Sequence, residues 1–194
     1  MKRIMYVILT ATLLTLPFAL AAARAEAPGT RQFTDSLGRT VELPAQIERV
    51  AVTGSMAQMV TSALAPEKMV GLAEKIGKKE APFYPAAYVG LPVLGRLYGG
   101  ELNLETLLDS GAQVVIDVGE PKAGIAEDMD ELSAQTGIPF VHITMHTYTM
   151  GDAYEVLGDL LGKPDEAAVL AAYCRETYAM IEDIASQAEK VFWN

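Results

Sequence analysis

From Arg49 onward, short apolar runs that read as buried strands alternate with stretches of helical periodicity, and this alternation restricts the chain to a few architectures. The unit is plainest between Leu94 and Asp117. A glycine-rich, aromatic loop (Gly95, Tyr98, Gly99, Gly100) leads to Asn103, a good helix N-cap, and then to a short helix with an apolar face of Leu104, Leu107 and Leu108. Gly111 breaks that helix, and Val114-Val115-Ile116 follows as a buried parallel strand. The same reading gives strands at Val50-Ala51-Val52, at Met69-Val70-Gly71-Leu72 and from Pro139 to Thr144. It gives helices from Ser55, read as the cap, through Leu64, and from Ala123 to Gln135 with Gly137 as the stop. Ahead of the series, Gln32-Phe33-Thr34 and Arg39 to Leu43 form a hairpin around Asp35-Ser36-Leu37-Gly38. The expected fold is α/β: a Rossmann-like parallel sheet with helices on both faces and an N-terminal hairpin.

The last element is a long helix. Pro164 opens it, Asp165 and Glu166 sit at the positive end of its dipole, and Leu170, Tyr173, Cys174, Thr177, Ile181, Ile184 and Ala188 recur at helical spacing. Residues 164–190 span roughly 39 Å at the usual helical rise. Val191-Phe192-Trp193-Asn194 then reads as the first residues of another strand.

Residues 1–25 read as a secretion signal: a basic start (Lys2, Arg3), an apolar run from Ile4 to Leu20, and small residues around Ala23-Arg24-Ala25. An uncleaved membrane anchor is the competing reading, disfavoured by Pro17 and the Ala-rich end. No cysteine stands near the cleavage point, which excludes a lipid anchor there. Cleavage removes three basic residues and no carboxylate, so a formal charge of −10 becomes more negative. A surface of that sign excludes nucleic acid as a partner. Cys174 is the sole cysteine, so no internal disulfide can form, and its position on a helix marks a small core residue rather than a nucleophile.

The segment Asn103-Leu104-Glu105 and the hairpin F-T-D-x-L-G-R-T-V-x-L-P together resemble the periplasmic binding proteins that feed iron-siderophore, haem and cobalamin ABC importers. Ser110-Gly111-Ala112-Gln113 departs from the Pro-Asp run usual in that family after the helix. The resemblance implies an N-terminal lobe over residues 26–163, an inter-lobe helix over 164–190, and the start of a second lobe at 191–194, about half of a complete binding protein. It implies a periplasmic, monomeric protein when both lobes are present, capturing a chelated metal compound and delivering it to an inner-membrane permease, with no resident cofactor or metal and no catalysis. It also implies that Glu105 pairs with a permease arginine, with Glu101 as second choice, and that Arg96 stands where some hydroxamate-siderophore binders present a ligand-contacting arginine.

In open α/β sheets ligands lie beyond the carboxyl ends of the strands. That rule selects Ser55, Met56, Tyr84, Arg96, Tyr98, Glu120, His146 and Tyr148 as candidate ligand contacts. Aromatic walls with one guanidinium suit large, oxygen-bearing chelates. Each has a plainer alternative: Arg96 paired with Glu101 on a surface loop, Glu105 favoured by its helix dipole, Ser55 as a cap, and Glu127, Asp128, Asp130 and Glu131 as a solvated face. His142 and His146 invite a metal reading, but four residues along a strand separate them by roughly 13 Å, so His142 reads as a core histidine. Neither G-x-S-x-G nor G-x-G-x-x-G nor G-K-S/T occurs. A secreted hydrolase-like or flavodoxin-like enzyme is the alternative, and a truncated reading frame without a transport role is a third.

Overall fold

A computed structural model describes residues 29–192. The stretch 1–25 read as a secretion signal, with residues 26–28 and 193–194, lies outside the described residues. The hairpin forms from β1 (Thr30–Thr34) and β2 (Thr40–Pro44), antiparallel with Phe33 opposite Val41. Asp35 organises its turn. One carboxylate oxygen accepts from the Leu37 and Arg39 amides, and the other accepts from the Arg39 guanidinium at 2.6 Å and from the His142 amide at 3.3 Å. The Ser36 amide donates to the His142 carbonyl, and Arg39 Nη2 to the Phe140 carbonyl.

The main sheet is parallel, in the order β3 (Val50–Thr53), β4 (Val114–Gly119), β5 (Phe140–Thr144), with Thr53, Asp117 and His142 side by side in register. The run Met69 to Leu72 was expected as a strand and is reduced to two isolated parallel bridges. Met69 pairs with Val50 on one side and Leu72 with Val93 on the other, so the ribbon continues outward without forming a full strand. All four residues of β3 and the first five of β4 are buried, as a strand covered on both faces requires.

Alternation along the strands builds two cores. Val50, Val52, Val114, Ile116, Val141 and Ile143 face α1 (Ser55–Leu64) and α4 (Met150–Leu161). Ala51, Val115 and Phe140 face α2 (Leu104–Asp109) and α3 (Ile125–Thr136), meeting Leu107, Ile125 and Met129. Leu108, expected on the buried face of α2, is 51% exposed: a six-residue helix presents only one turn to the sheet, and Leu107 takes that place. Gly111 and Gly137 terminate α2 and α3 at φ +63° and +70°, a region open to glycine. Ser55 is the first helical residue rather than the cap; Gly54 occupies that position and Ser55 directs its hydroxyl to Glu74.

The helix α4 was not foreseen. It packs antiparallel on α5 (Pro164–Phe192), which runs through residues 191–192 that had read as extended. Among the described side chains of α5, Ala167 and Ala171 in its first part are buried; Tyr173, Ile181 and Ile184, expected on a packed stripe, are exposed. At 29 residues α5 is roughly 43 Å long and projects past the helices that cover the sheet.

Candidate functional site

Because β3, β4 and β5 are parallel, the residues that follow them share one edge. The structure sorts the candidates there into three groups above a buried polar base.

The base is a row of three side chains across the three strands. The Thr53 hydroxyl donates to Asp117 Oδ1 at 3.0 Å, and His142 Nδ1 lies 2.9 Å from Asp117 Oδ2. His142 is fully buried and its Nε2 has no hydrogen-bond partner. It is a core histidine. Neither a serine nor a cysteine is bonded to it, so the row does not constitute an activated nucleophile. Cys174 is half-buried on α5, where burial pushes its thiol pKa up and away from the reactive thiolate. Among the described residues no three His, Cys, Asp or Glu side chains converge as a metal-ligand set.

The first group joins Ser55, Glu74, Arg96 and Tyr84. Arg96 Nη2 donates to Glu74 Oε1 at 2.6 Å, and the Ser55 hydroxyl donates to the same oxygen. Arg96 thus pairs with Glu74, not with Glu101 as the surface-loop alternative had it. The Ser55 hydrogen bond is the largest cause holding the Glu74 carboxyl below the usual glutamate range; burial opposes it, and Arg96 adds to the lowering. Gln58 accepts a hydrogen bond from the Glu74 amide and fixes the backbone beneath the pair. A depression of about 350 Å³ lies here, bounded by Ser55, Gln58, Glu74, Lys75, Glu80 and Tyr84. Tyr84 packs at 6.1 Å from buried Tyr88.

Tyr98 forms the second group with Lys122, whose ammonium sits 3.9 Å from the ring centroid, a cation–π contact. The Tyr98 hydroxyl is enclosed and unpartnered, and burial followed by the neighbouring Asp117 charge raises its pKa. Its loop turns at Gly95, Gly99 and Gly100, all at positive φ. In the third group His146 stacks on Tyr148 at 5.2 Å with rings 3° from parallel, and Tyr178 of α5 tilts against Tyr148 at 6.5 Å. An apolar depression of about 200 Å³ adjoins them, lined by Met150, Tyr173, Cys174, Tyr178 and Ile181.

Met56 and Glu120 are exposed at the starts of their respective segments, with no contact that draws them into any group. Glu105 is exposed in the first turn of α2, where Asn103 caps the Thr106 amide at 2.9 Å. Asp130 lies on the solvated face as read, with its side chain 71% exposed, and also pairs with Arg39 at 2.8 Å. The sequence reading missed Glu74, Lys122 and Tyr178. The first two follow strand ends, so the carboxyl-edge rule reaches them once the bridge at Leu72 and the end of β4 are recognised; Tyr178 arrives from a distant helix and carries no local signal.

No family model and no curated protein matches the chain. Solved structures do. An ABC transporter solute-binding protein from Sulfurospirillum deleyianum superposes with a TM-score of 0.65 at 21% identity, over 75% of this chain and 46% of that one. The molybdate-binding MolA of Haemophilus influenzae gives 0.60 at 19% identity, over 73% and 49%. The heme binding protein HmuT gives 0.57 at 18% identity, over 82% and 49%. The chain therefore has the fold of these solute-binding proteins and spans about half the length of those it matches.

Proposed function

We propose that this chain is a lobe of the solute-binding component of an ABC importer, which captures a chelated metal compound (a ferric siderophore, haem or cobalamin) and hands it to a membrane permease without chemical turnover. One observation carries the reading: on this fold, Arg96, Tyr84, Tyr98, His146 and Tyr148 all lie along the carboxyl edge of the sheet. A guanidinium grips chelate oxygens in a fork, and the aromatic faces cover the apolar remainder of such a ligand. Residues 1–25 act as a cleaved signal that sends the protein to the periplasm, residues 26–163 form the lobe, and the long helix from 164 leads to a second lobe that closes the cleft. Glu105, exposed on α2, is the permease-facing carboxylate.

The test is titration with ferric siderophores, haem and cobalamin, read by tyrosine and tryptophan fluorescence. A protein comprising both lobes binds one of these tightly. The single lobe binds it more weakly than micromolar, because half a cleft buries much less than the ~70–90% of ligand surface typical of a formed pocket. Failure of the two-lobe protein to bind any chelate refutes the function. Micromolar or tighter binding by the chain alone refutes the division into half-clefts.

A further inference from the structure

Charge along the carboxyl edge differs from charge elsewhere on the chain. Three of the eight lysines, Lys75, Lys78 and Lys79, fall within five residues immediately after the Leu72 bridge, and all three are exposed. Arg96 and Lys122 stand on the same edge. The carboxylates there are Glu74, Glu80, Glu101 and Glu120, with Asp117 buried beneath them, so the edge is balanced in charge within a chain of formal charge −10. The edge is thus less acidic than the protein as a whole, its exposed lysines lie together, and the carboxylate bonded to Arg96 belongs to the protein itself.

We propose that the cleft selects a negatively charged chelate, and that Glu74 is an internal anion occupying Arg96 until the ligand's own anionic oxygen displaces it. The inference rests on the reading of this edge as a chelate site and specifies the ligand's charge. Arg96 commits only Nη2 to Glu74, and its side chain is 50% exposed, so further guanidinium donors face the cleft where a ligand oxygen arrives first. Displacement of Glu74 from Arg96 leaves its backbone amide bonded to Gln58 and the Ser55 hydroxyl as a partner for its carboxylate. A catecholate or carboxylate oxygen replaces one charge-assisted hydrogen bond with another. A neutral carbonyl oxygen does not restore the lost ionic contact, so uncharged chelates are disfavoured. The lysines at 75, 78 and 79 raise the local concentration of an anionic ligand and leave a signature in salt dependence.

The experiment uses two diamagnetic probes of similar size, gallium(III) tris-catecholate, which is anionic, and gallium(III) tris-hydroxamate, which is neutral. The purified chain is titrated with each up to about millimolar, a range that captures weak binding, while the Arg96 Nε–H and the backbone amides of Glu74 and Lys78 are followed by NMR. The catecholate complex shifts these resonances, with an affinity that falls as salt is added, and the hydroxamate complex shifts them at least about tenfold more weakly. Glu74→Gln tightens the catecholate complex about fivefold, the upper range of an exposed ion pair, and Arg96→Gln weakens it. The amide spectra report that each variant is folded. Equal or tighter binding of the neutral chelate at this edge, or weaker catecholate binding by Glu74→Gln, overturns the charge selection while leaving a chelate-binding protein. Silence from both probes overturns the charge selection at this edge, whereas the chelate reading falls only if the two-lobe protein binds no siderophore, haem or cobalamin.

Discussion

Replacing Gly95 by alanine tests whether the loop carrying Arg96 and Tyr98 is held by backbone geometry. Gly95 sits at φ +91°, and a Cβ built there lies 2.1 Å from the Glu101 carbonyl oxygen and 2.9 Å from its carbon. Those atoms are backbone, and the loop is closed on both sides, by the Leu94 amide on the Leu72 carbonyl at 2.7 Å and the Asn103 amide on the Leu94 carbonyl at 2.8 Å. The methyl group therefore cannot be accommodated by a side-chain rotation. The left-handed backbone costs an alanine about 1–2 kcal/mol, and forcing the contact adds about 1–3 kcal/mol. The expected loss is about 2–5 kcal/mol, a large part of the ~5–15 kcal/mol that stabilises an ordinary domain. Gly99 separates the two contributions. Its φ is +96° but nothing lies within 4 Å of its Cβ position, so Gly99→Ala should lose only the conformational part, about 1–2 kcal/mol. Urea unfolding followed by circular dichroism measures both; at a slope of about 2 kcal/mol per molar the Gly95→Ala midpoint falls by roughly 1–2.5 M. Equal midpoints for the two variants would refute the steric argument, and an unchanged Gly95→Ala midpoint would refute the claim that the backbone fixes the loop.

Three further outcomes are expected. Glu105→Arg in a two-lobe protein slows capture by the permease and removes its salt sensitivity while chelate affinity stays nearly constant, since a rim charge mainly steers association; unchanged uptake and salt dependence would sink the docking assignment. Leu157→Ala, fully buried on α4, costs about 2–5 kcal/mol, whereas Ile181→Ala, 50% exposed on α5, stays within about 0.5 kcal/mol, both read by thermal denaturation. Glu74 titrates below an ordinary glutamate, so the stabilisation from its ionised form is complete above the unfolded value and disappears as pH falls through the lower folded value. Ser55→Ala should move that titration upward, because the Ser55 hydroxyl is the largest cause of the shift; an unmoved carboxyl resonance in carbon-detected NMR contradicts it.

The strands β3, β4 and β5 were legible because β-branched runs bounded by turn residues have few other uses, and the sheet placed their ends within one to three residues of expectation. The helix α4 escaped, although Met150, Ala153, Tyr154, Leu157, Leu160 and Leu161 keep a helical period, because Gly151 and Gly158 lower its local propensity. Their reason is tertiary: a Cβ at Gly158 would lie 2.4 Å from that of Ala167, and one at Gly151 3.0 Å from the Ala171 carbonyl, so glycine is what lets α4 and α5 approach. At the candidate site, the carboxyl-edge rule selected Ser55, Tyr84, Arg96, Tyr98, His146 and Tyr148 as candidates. It did not supply the partners. The bond between Arg96 and Glu74 joins residues 22 apart in the chain, and the contact of Tyr148 with Tyr178 bridges two helical elements; neither follows from local pattern.

The turn of the N-terminal hairpin also has a protective consequence. In the order β3-β4-β5 one side of β5 has no strand beside it. An uncovered strand of this kind, rich in Phe, Val and Ile, offers its amides and carbonyls to any other extended chain. The hairpin turn occupies that row instead: Ser36 and Arg39 take the carbonyls of His142 and Phe140, and Asp35 takes the His142 amide. One buried carboxylate thus serves both to shape the turn and to stop the sheet from growing. Substitution of Asp35 would therefore endanger solubility as well as stability, because opening the turn uncovers a strand competent to recruit copies of itself.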